Sequence, residues 1–427
     1  MGVLDLRAID DELVDDTWKG IPGGTPPFPL GQIGTKGWNV AAGHLPLPLL
    51  TLRRSAIEHN MAVMARFCAQ TGVLLAPHGK TTMAPQLFDR QLAAGAWGIT
   101  AATVQQLQVY RRFGVARVVL ANQVIGEAER SWLARQHRDP SFELWSLVDS
   151  AESVARVAAI GADRAFPVLL ELGLPGGRTG ARDEQAVESV LTAVAATHGR
   201  VRLAGIEAFE GLIPQKRPDA PDTRVRQLVD RVATTATRLA ASGALPADFI
   251  LSAGGSIAFD LVAELLGPIA RPPARLVLRS GCYVTHDHGM YAAGSPLVDG
   301  ASSWADRVGV LRPALALWAH VQSQPEAGLA LLTFGKRDAP FDAGLPVPIR
   351  HLPASSRGDG ALDVQGWSVS ALNDQHAYLR CPTGEEPQVG DRVVLGISHP
   401  CTAFDRWRLV YEVDDEDTIV GGIRTFF

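Results

Sequence analysis

Residues 73–121 read VLLAPHGKTTMAPQLFDRQLAAGAWGITAATVQQLQVYRRFGVARVVLA, and in them short apolar runs alternate with longer segments of helical periodicity. This alternation is typical of parallel strands joined by crossover helices, such as those predicted at Met83–Ala96 and Thr103–Phe113. Eight such units indicate a TIM-type (β/α)8 barrel, because the alternative, a doubly wound open sheet, usually has a glycine-rich turn after its first strand. The predicted strands are Val73–Ala76, Trp97–Ala101, Arg117–Ala121, Phe142–Val148, Phe166–Glu171, Arg202–Glu207, Phe249–Ser252 and Arg275–Leu278.

The segments on either side of the barrel differ in character from it. GIPGGTPPFPLG at residues 20–31 holds too many Gly and Pro residues for a regular element, so we expect a helix and then an irregular arm. LPLPLLTL at residues 45–52 predicts a strand that links the barrel to a second domain. We therefore divide the chain into an arm associated with the β domain (1–48), the barrel (49–289) and a C-terminal β domain (290–427).

The C-terminal segment loses the helical periodicity of the barrel. Turns such as SSRGDG and PTGEEPQVGD separate short strand-like runs, which predicts an antiparallel β domain. The predicted strands are Asp306–Leu311, Ala314–His320, Gly328–Phe334, Ala377–Arg380, Arg392–Ile397, Trp407–Val413 and Thr418–Gly422.

The composition is that of an ordinary globular protein, with 46% hydrophobic and 20% charged residues. The formal net charge is -5, and no long run of basic residues offers a surface for nucleic acid. The acidic N-terminus lacks the features of a signal peptide, and no window approaches the ~18 apolar residues of a membrane span. The 4 cysteines show no C-x-x-C spacing, which argues against a disulfide framework. We expect a cytoplasmic protein that binds neither membrane nor nucleic acid.

Polar residues follow most of the predicted barrel strands, at the end where such barrels build their active sites. PHGKT (77–81) follows the first strand, SAGGS (252–256) the seventh and RSGCY (279–283) the eighth. Glycine-rich loops after the last two strands commonly bind phosphate, and we expect Ser256 to open a helix whose N-terminus faces the anion. A lysine that faces a phosphate site can hold pyridoxal phosphate as a Schiff base, so Lys80 is the candidate cofactor lysine.

A second constellation lies in RVVLGISHPCTAFDRW at residues 392–407. His399 and Cys401 are two residues apart at the end of an apolar strand, so their side chains project from the same face. An imidazole and a thiolate together suit a zinc ion, in preference to manganese or magnesium, with positions left for water or substrate. His376 is a candidate third contact. The run HDH at 286–288 is either another metal cluster or a set of hydrogen-bonding or solvent-facing residues.

The motif PHGKT and the QLAAGAWGITAAT that follows it closely resemble a motif and helix of the D-threonine aldolase and D-serine dehydratase family. These are fold-type III pyridoxal phosphate enzymes related to alanine racemase. The resemblance implies a homodimer with sites near the interface, an N-terminal barrel, a C-terminal β domain and Lys80 as the cofactor lysine. Further segments resemble family motifs in the same order along nearly the whole chain: 172–180 (LG to RTG), GIEAFEG (205–211), SAGGS (252–256), RSGCYVTHD (279–287) and HPC (399–401).

The resemblance also implies roles for the matching residues. Lys80 would act as the proton-transfer base, and Arg178 would lie near the phenolic oxygen of the cofactor. His399 and Cys401 would bind the divalent metal that grips the β-hydroxyl of the substrate. The remaining residues expected to contact the cofactor, chiefly at its phosphate, are His78, Ser252, Gly254, Gly255, Ser256, Gly281, Cys282 and Tyr283.

Three positions depart from the family pattern. Ala76 stands where Arg is frequent, KTTM (80–83) replaces KTHK, and Phe209 stands where an aromatic residue often offers a hydroxyl near the pyridine nitrogen. Without that hydroxyl, we expect Glu207 or water to hold the ring nitrogen. These changes bear most on substrate preference.

Two reactions of β-hydroxy D-amino acids fit these residues. Elimination of the hydroxyl gives a 2-oxo acid and ammonia, whereas retro-aldol cleavage gives glycine and an aldehyde. In the family a His-x-Cys pair is the dehydratase-like form, so Cys401 favours a dehydratase acting on a substrate such as D-serine or D-threonine, with the aldolase as the alternative. A non-catalytic cofactor-binding protein would need no metal pair, and a racemase would use a second base and no metal. A phosphate-binding barrel enzyme without pyridoxal phosphate is the fallback if Lys80 is unmodified.

Overall fold

The N-terminal arm contains little regular structure in the computed structural model, which describes residues 2–161, 163–211, 213, 223–356 and 361–427. The predicted helix is limited to α1 (Arg7–Asp10). Two short strands, β1 (Leu13–Val14) and β2 (Phe28–Pro29), pair antiparallel before a 3-10 turn at Leu30–Lys36. The high Gly and Pro content between β1 and β2 accounts for this irregular path.

A strand, β3 (Leu49–Arg53), precedes the barrel, whose strands all overlap the eight predicted ones and confirm the fold class. Helices and parallel strands alternate along the chain as the periodicity indicates. In chain order these elements are α2 (Arg54–Thr71), β4 (Leu74–Leu75), α3 (Pro85–Ala93), β5 (Ile99–Ala101), α4 (Val104–Arg112), β6 (Arg117–Leu120), α5 (Glu127–Gln136), β7 (Glu143–Val148), α6 (Ala151–Ala158), β8 (Phe166–Leu172), α7 (Glu184–Ala196), β9 (Val201–Ala208), α8 (Thr223–Ala241), β10 (Ile250–Ala253), α9 (Phe259–Leu266) and β11 (Arg275–Leu278).

The barrel closes between its first and second strands. The strand order is β4-β11-β10-β9-β8-β7-β6-β5. The two end strands meet where His78, which follows β4, forms a parallel bridge with Thr100 of β5. Because the interior is packed with side chains, a ligand site must lie at the strand ends. The buried apolar residues that fill it are Ala76, Val119, Trp145, Leu147, Leu169, Ala204, Ile250 and Val277.

The C-terminal domain begins with two short helices, and one predicted strand is therefore wrong. The first part of the predicted strand Asp306–Leu311 lies in α11 instead. Ser302 stabilises the start of this helix, because its hydroxyl accepts a hydrogen bond from Trp304 N at 3.2 Å. Strands β14 and β15 were not predicted. The elements are α10 (Met290–Gly294), α11 (Ser303–Val308), β12 (Leu315–Glu326), β13 (Leu329–Leu332), β14 (Val347–Leu352), β15 (Ser368–Leu372), β16 (Ala377–Arg380), β17 (Arg392–Gly396), β18 (Leu409–Val413) and β19 (Ile419–Arg424).

Strand β3 belongs to the sheet of the C-terminal domain, although it precedes the barrel in sequence. The sheet has the order β15-β16-β13-β12-β3-β18-β19, and β17 pairs with both β12 and β14. Its described pairings are antiparallel except that of β3 with β18, which is parallel. We propose to place the start of the barrel at Arg54 rather than at residue 49.

A buried carboxylate fixes the C-terminal sheet against the barrel. Glu412 of β18 is 1% exposed and forms ion pairs with Arg54 of α2, at 2.7 Å, and with Arg90 of α3. Burial opposes ionisation, but the two guanidinium groups outweigh it and lower the pKa of Glu412. The loops of the C-terminal domain are thereby held at a fixed position relative to the barrel. None of the helices in the described part of the chain is both long and apolar enough to cross a membrane.

Candidate functional site

Lys80 lies in a 3-10 turn, Gly79–Thr81, directly after the first barrel strand. The loop after β11 approaches this turn so closely that a Cβ on Gly281 would lie 2.5 Å from His78 O, which explains the glycine there. Among the described residues, no carboxylate or other acceptor pairs with the Lys80 amine. The side chain is thus free for a covalent bond to a ligand.

Three cationic side chains act on His78, two residues before Lys80. Burial, and then the charges of Lys80, Arg279 and Arg178, lower the pKa of His78 well below its usual value. Its Nδ1 atom is buried and has no hydrogen-bond partner. A neutral histidine with an unused ring nitrogen, set among three cations, fits an anionic cofactor at this mouth.

Glu207 and Arg279 form a buried ion pair at the ends of β9 and β11. They are 1% and 4% exposed, and Arg279 Nη1 also donates to Ser252 Oγ at 3.0 Å. Burial raises the pKa of Glu207 to about 7, although Arg279 opposes the shift. Glu207 Oε2 and Arg279 Nε have no partner, so one acceptor and one donor are left for a polar group of a ligand. Arg279 was missed as a site residue, although its position directly after a strand could have identified it.

The glycine loop after β10 binds an anionic group within the chain itself. Gly254 adopts φ +85°, and its N–H and that of Gly255 donate to the carboxylate of Glu210 at 3.2 and 2.5 Å. These amides therefore form an anion site where phosphate binding was predicted. Ser256 does not open a helix, because residues 256–258 form a turn and α9 begins at Phe259.

Arg178 and Phe209 meet at the edge of this mouth, where the guanidinium lies 5.0 Å from the centre of the ring. Both line a cavity of about 320 Å³, together with Glu171 and Thr179. The Thr179 hydroxyl donates to Glu171, which is buried. The cavity extends the predicted cofactor region towards β8.

Two residues of the loop after β11 direct their side chains away from the glycine amides. The hydroxyl of Tyr283 accepts a hydrogen bond from Gln91 of α3 at 3.2 Å. The thiol of Cys282 lies 3.3 Å from that of Cys401. Any phosphate contact of these residues would therefore come from the backbone.

The predicted metal pair lies in the loop after β17. His399 Nδ1 bonds to Asp342 Oδ2 at 2.7 Å, which leaves Nε2 for a metal, and a carboxylate that orients the ring in this way is typical of metal-binding histidines. Cys401 lies within hydrogen-bonding reach of His399. Hydrogen bonds from Cys282 and then His399 lower the pKa of the Cys401 thiol. An oriented imidazole beside a readily ionised thiol fits zinc. Asp342 was missed because no local pattern marks it.

The other histidine candidates do not join a metal cluster. Asp287 accepts hydrogen bonds from the N–H groups of Gly289, Tyr291 and Ala292, so it caps α10. Burial lowers the pKa of His286 and of His288 to about 4. Over the described ranges, no three His, Cys, Asp or Glu side chains already converge as ligands, and His376 as a third contact stays a prediction.

Two family models match this chain. The alanine racemase N-terminal domain matches residues 52–271, which is more than half of the chain. The putative serine dehydratase domain matches residues 314–413, which include the metal pair. Barrel and C-terminal domain thus each resemble a known domain.

Curated relatives and solved structures are also similar to this chain. D-threonine aldolase of Arthrobacter sp. is 26% identical over 84% of this chain and 86% of its own length. D-threo-3-hydroxyaspartate dehydratase of Delftia sp. (strain HT23) is 29% identical over 53% of this chain and 64% of its own. The crystal structure of D-threonine aldolase from Filomicrobium marinum has a TM-score of 0.73 at 24% identity and covers 91% of this chain and 96% of that one. A mutant of D-threo-3-hydroxyaspartate dehydratase in the metal-free form has a TM-score of 0.68 at 21% identity, over 91% and 99%.

Proposed function

The chain belongs to the family of the alanine racemase N-terminal domain, and on this basis we propose that it is a pyridoxal phosphate- and metal-dependent D-amino acid dehydratase. It would convert a β-hydroxy D-amino acid, such as D-serine or D-threonine, to a 2-oxo acid and ammonia. The observation that carries the proposal is that Thr81, next to Lys80, lies 3.7 Å from the Cys401 thiol. This contact supports the proposal, because a metal on the predicted pair would lie close to the turn that carries Lys80.

The residues at the barrel mouth fit pyridoxal phosphate. This cofactor, when bound, supplies an electron sink for negative charge at the substrate Cα. Lys80 Nζ would hold the cofactor and would take up the α-proton of the substrate, for which its unpaired amine is suited. The amides of Gly254 and Gly255, which now donate to Glu210, would hold the phosphate, and the unpartnered atoms of Glu207 and Arg279 would be available to a polar group of the cofactor.

His399 and Cys401 fit a divalent metal, and the thiolate favours zinc. The metal supplies a Lewis acid for the β-hydroxyl of the substrate. Asp342 fixes the ring of His399 so that one nitrogen points to the metal position. In this arrangement the β-hydroxyl would lie on the side of the β domain and the α-proton on the side of Lys80.

Retro-aldol cleavage is the second candidate function. One observation favours it: the D-threonine aldolase relative aligns with 84% of this chain, whereas the dehydratase relative aligns with 53%. The Cys ligand favours elimination, which we prefer. We further propose a homodimer, which sedimentation of the cofactor-loaded protein would test.

Product analysis separates the two reactions with one substrate. The protein, loaded with pyridoxal phosphate and zinc, is incubated with D-threonine, and L-threonine serves as the control. We expect 2-oxobutyrate and ammonia from the D-isomer alone. Glycine and acetaldehyde would instead establish the aldolase, and absence of both sets of products would overturn this choice of substrate.

A further inference from the structure

A second thiol lies beside the predicted metal pair. The sulfur atoms of Cys282 and Cys401 are 3.3 Å apart, although 119 residues separate them in sequence. Cys282 is 4% exposed, and all four cysteines of the chain are free. The Thr81 hydroxyl lies 3.7 Å from both sulfur atoms, and the Tyr291 hydroxyl is within hydrogen-bonding reach of both thiols, so the two cysteines belong to a small polar cluster.

We propose that Cys282 is a third protein ligand of the metal, so that the site is His399, Cys401 and Cys282. The inference rests on the metal site of the proposed function. Two thiolates on one tetrahedral zinc, each at ~2.3 Å, lie roughly 3.8 Å apart. The two sulfur atoms at 3.3 Å must separate by only about 0.5 Å to reach that geometry. Among the described residues the three side chains do not yet converge as ligands, and this movement would bring the two thiols to the spacing of zinc ligands.

The third ligand changes which metal the site selects. Two thiolates and one imidazole with an open fourth position form a known donor set of catalytic zinc. Thiolates are poor ligands for manganese and magnesium, which prefer oxygen. The site therefore binds zinc strongly, excludes the two harder ions and still leaves one position for the substrate hydroxyl.

Zinc K-edge X-ray absorption of the holoenzyme, loaded with pyridoxal phosphate and one zinc per chain, counts the sulfur ligands directly. We expect two sulfur neighbours at ~2.3 Å in the wild type and one in C282S and in C282A. C401S should also show one, whereas C381S, a cysteine outside the cluster, should show two. Competition with a chelator should show that C282S binds zinc more than about 10-fold more weakly than the wild type. Loss of a residue that only hydrogen-bonds to a zinc ligand already lowers metal affinity by about this factor.

One sulfur neighbour in the wild type, with unchanged zinc affinity in C282S, overturns the role of Cys282 and leaves the metal pair intact. A disulfide between Cys282 and Cys401 in the zinc-loaded protein, detected by mass spectrometry after alkylation, overturns it too. A wild type that binds no zinc overturns both this inference and the metal site of the proposed function.

Discussion

The two halves of the site differ in charge and in how the chain builds them. The cofactor half, in the barrel, gathers Lys80, Arg178 and Arg279 around a neutral histidine. The metal half, contributed mainly by the C-terminal domain, gathers thiols and the carboxylate of Asp342 around His399. Under the proposed function, one half would hold an anion and the other a cation. A substrate that bridges them would be polarised between an electron-withdrawing ring and a Lewis acid.

The largest expected effect comes from removal of the cofactor lysine. In Lys80→Ala we expect loss of the visible absorption band of the cofactor and of all turnover, because the predicted covalent attachment point is removed. Absorption spectroscopy and product assays measure both. Lys36→Ala, at an exposed lysine, is the control. If K80A kept both band and turnover, the cofactor half of the comparison would be wrong.

The metal half is tested by Cys401→Ser. The cofactor band should persist while turnover falls by about 10³-fold, since a Lewis acid contributes several kcal/mol to the barrier. The same loss should follow metal chelation of the wild type and be reversed by zinc. C381S serves as the control. Activity of C401S equal to that of the wild type would remove the metal from the reaction.

Glu207 makes the cofactor half sensitive to pH. Its pKa is about 7 in the fold, against an ordinary value of 4.5, so the folded protein holds the proton more tightly than the unfolded chain does. The stability from this group is complete below about pH 4.5 and is lost as the pH rises through about 7. Relative to Glu207→Gln, the free energy of unfolding of the cofactor-free wild type should fall by about 3 kcal/mol over this window.

Chemical denaturation at several pH values measures this difference. Glu127→Gln on the surface is the control and should run parallel to the wild type. A difference between wild type and E207Q that does not change with pH would mean that burial does not raise this pKa.

The smallest expected effect concerns Glu210, whose carboxylate holds the two glycine amides. Glu210→Gln keeps the shape and removes the charge that competes with the phosphate. Because charge-assisted hydrogen bonds are roughly twice as strong as neutral ones, we expect about 10-fold tighter binding of pyridoxal phosphate. Fluorescence titration measures it, with Glu152→Gln as the exposed control. Unchanged affinity would place the phosphate elsewhere.

The difference between the two halves also explains which parts of the protein could be predicted from the sequence. The barrel was readable because its signal is local, and the position after each strand identifies Lys80 and the glycine loop. Strand β14 was missed because Pro348 interrupts its pattern and a register shift follows, and α11 was misread because six residues show too little periodicity.

Residues that act through long-range contacts carried no such signal. Asp342 meets His399 across 57 residues, and Glu210 meets Gly255 across 45. Spacing predicted His399 and Cys401 as a pair, but only the fold brings Cys282 to them. Local patterns therefore identify the groups that are presented by strands, and tertiary packing decides which of them meet.

The pairing of β3 with β12 and β18 also has a consequence for synthesis on the ribosome. Leu49, Leu50 and Leu52 are fully buried in that sheet, yet their last partner strand ends only at Val413. At ~5–20 residues per second, roughly 360 residues take on the order of 20–70 s to add, and β3 has no neighbour strand for much of that time. An apolar strand with unpaired edges is a template for aggregation. During translation, the fate of this chain thus depends on what covers β3 while the barrel folds behind it.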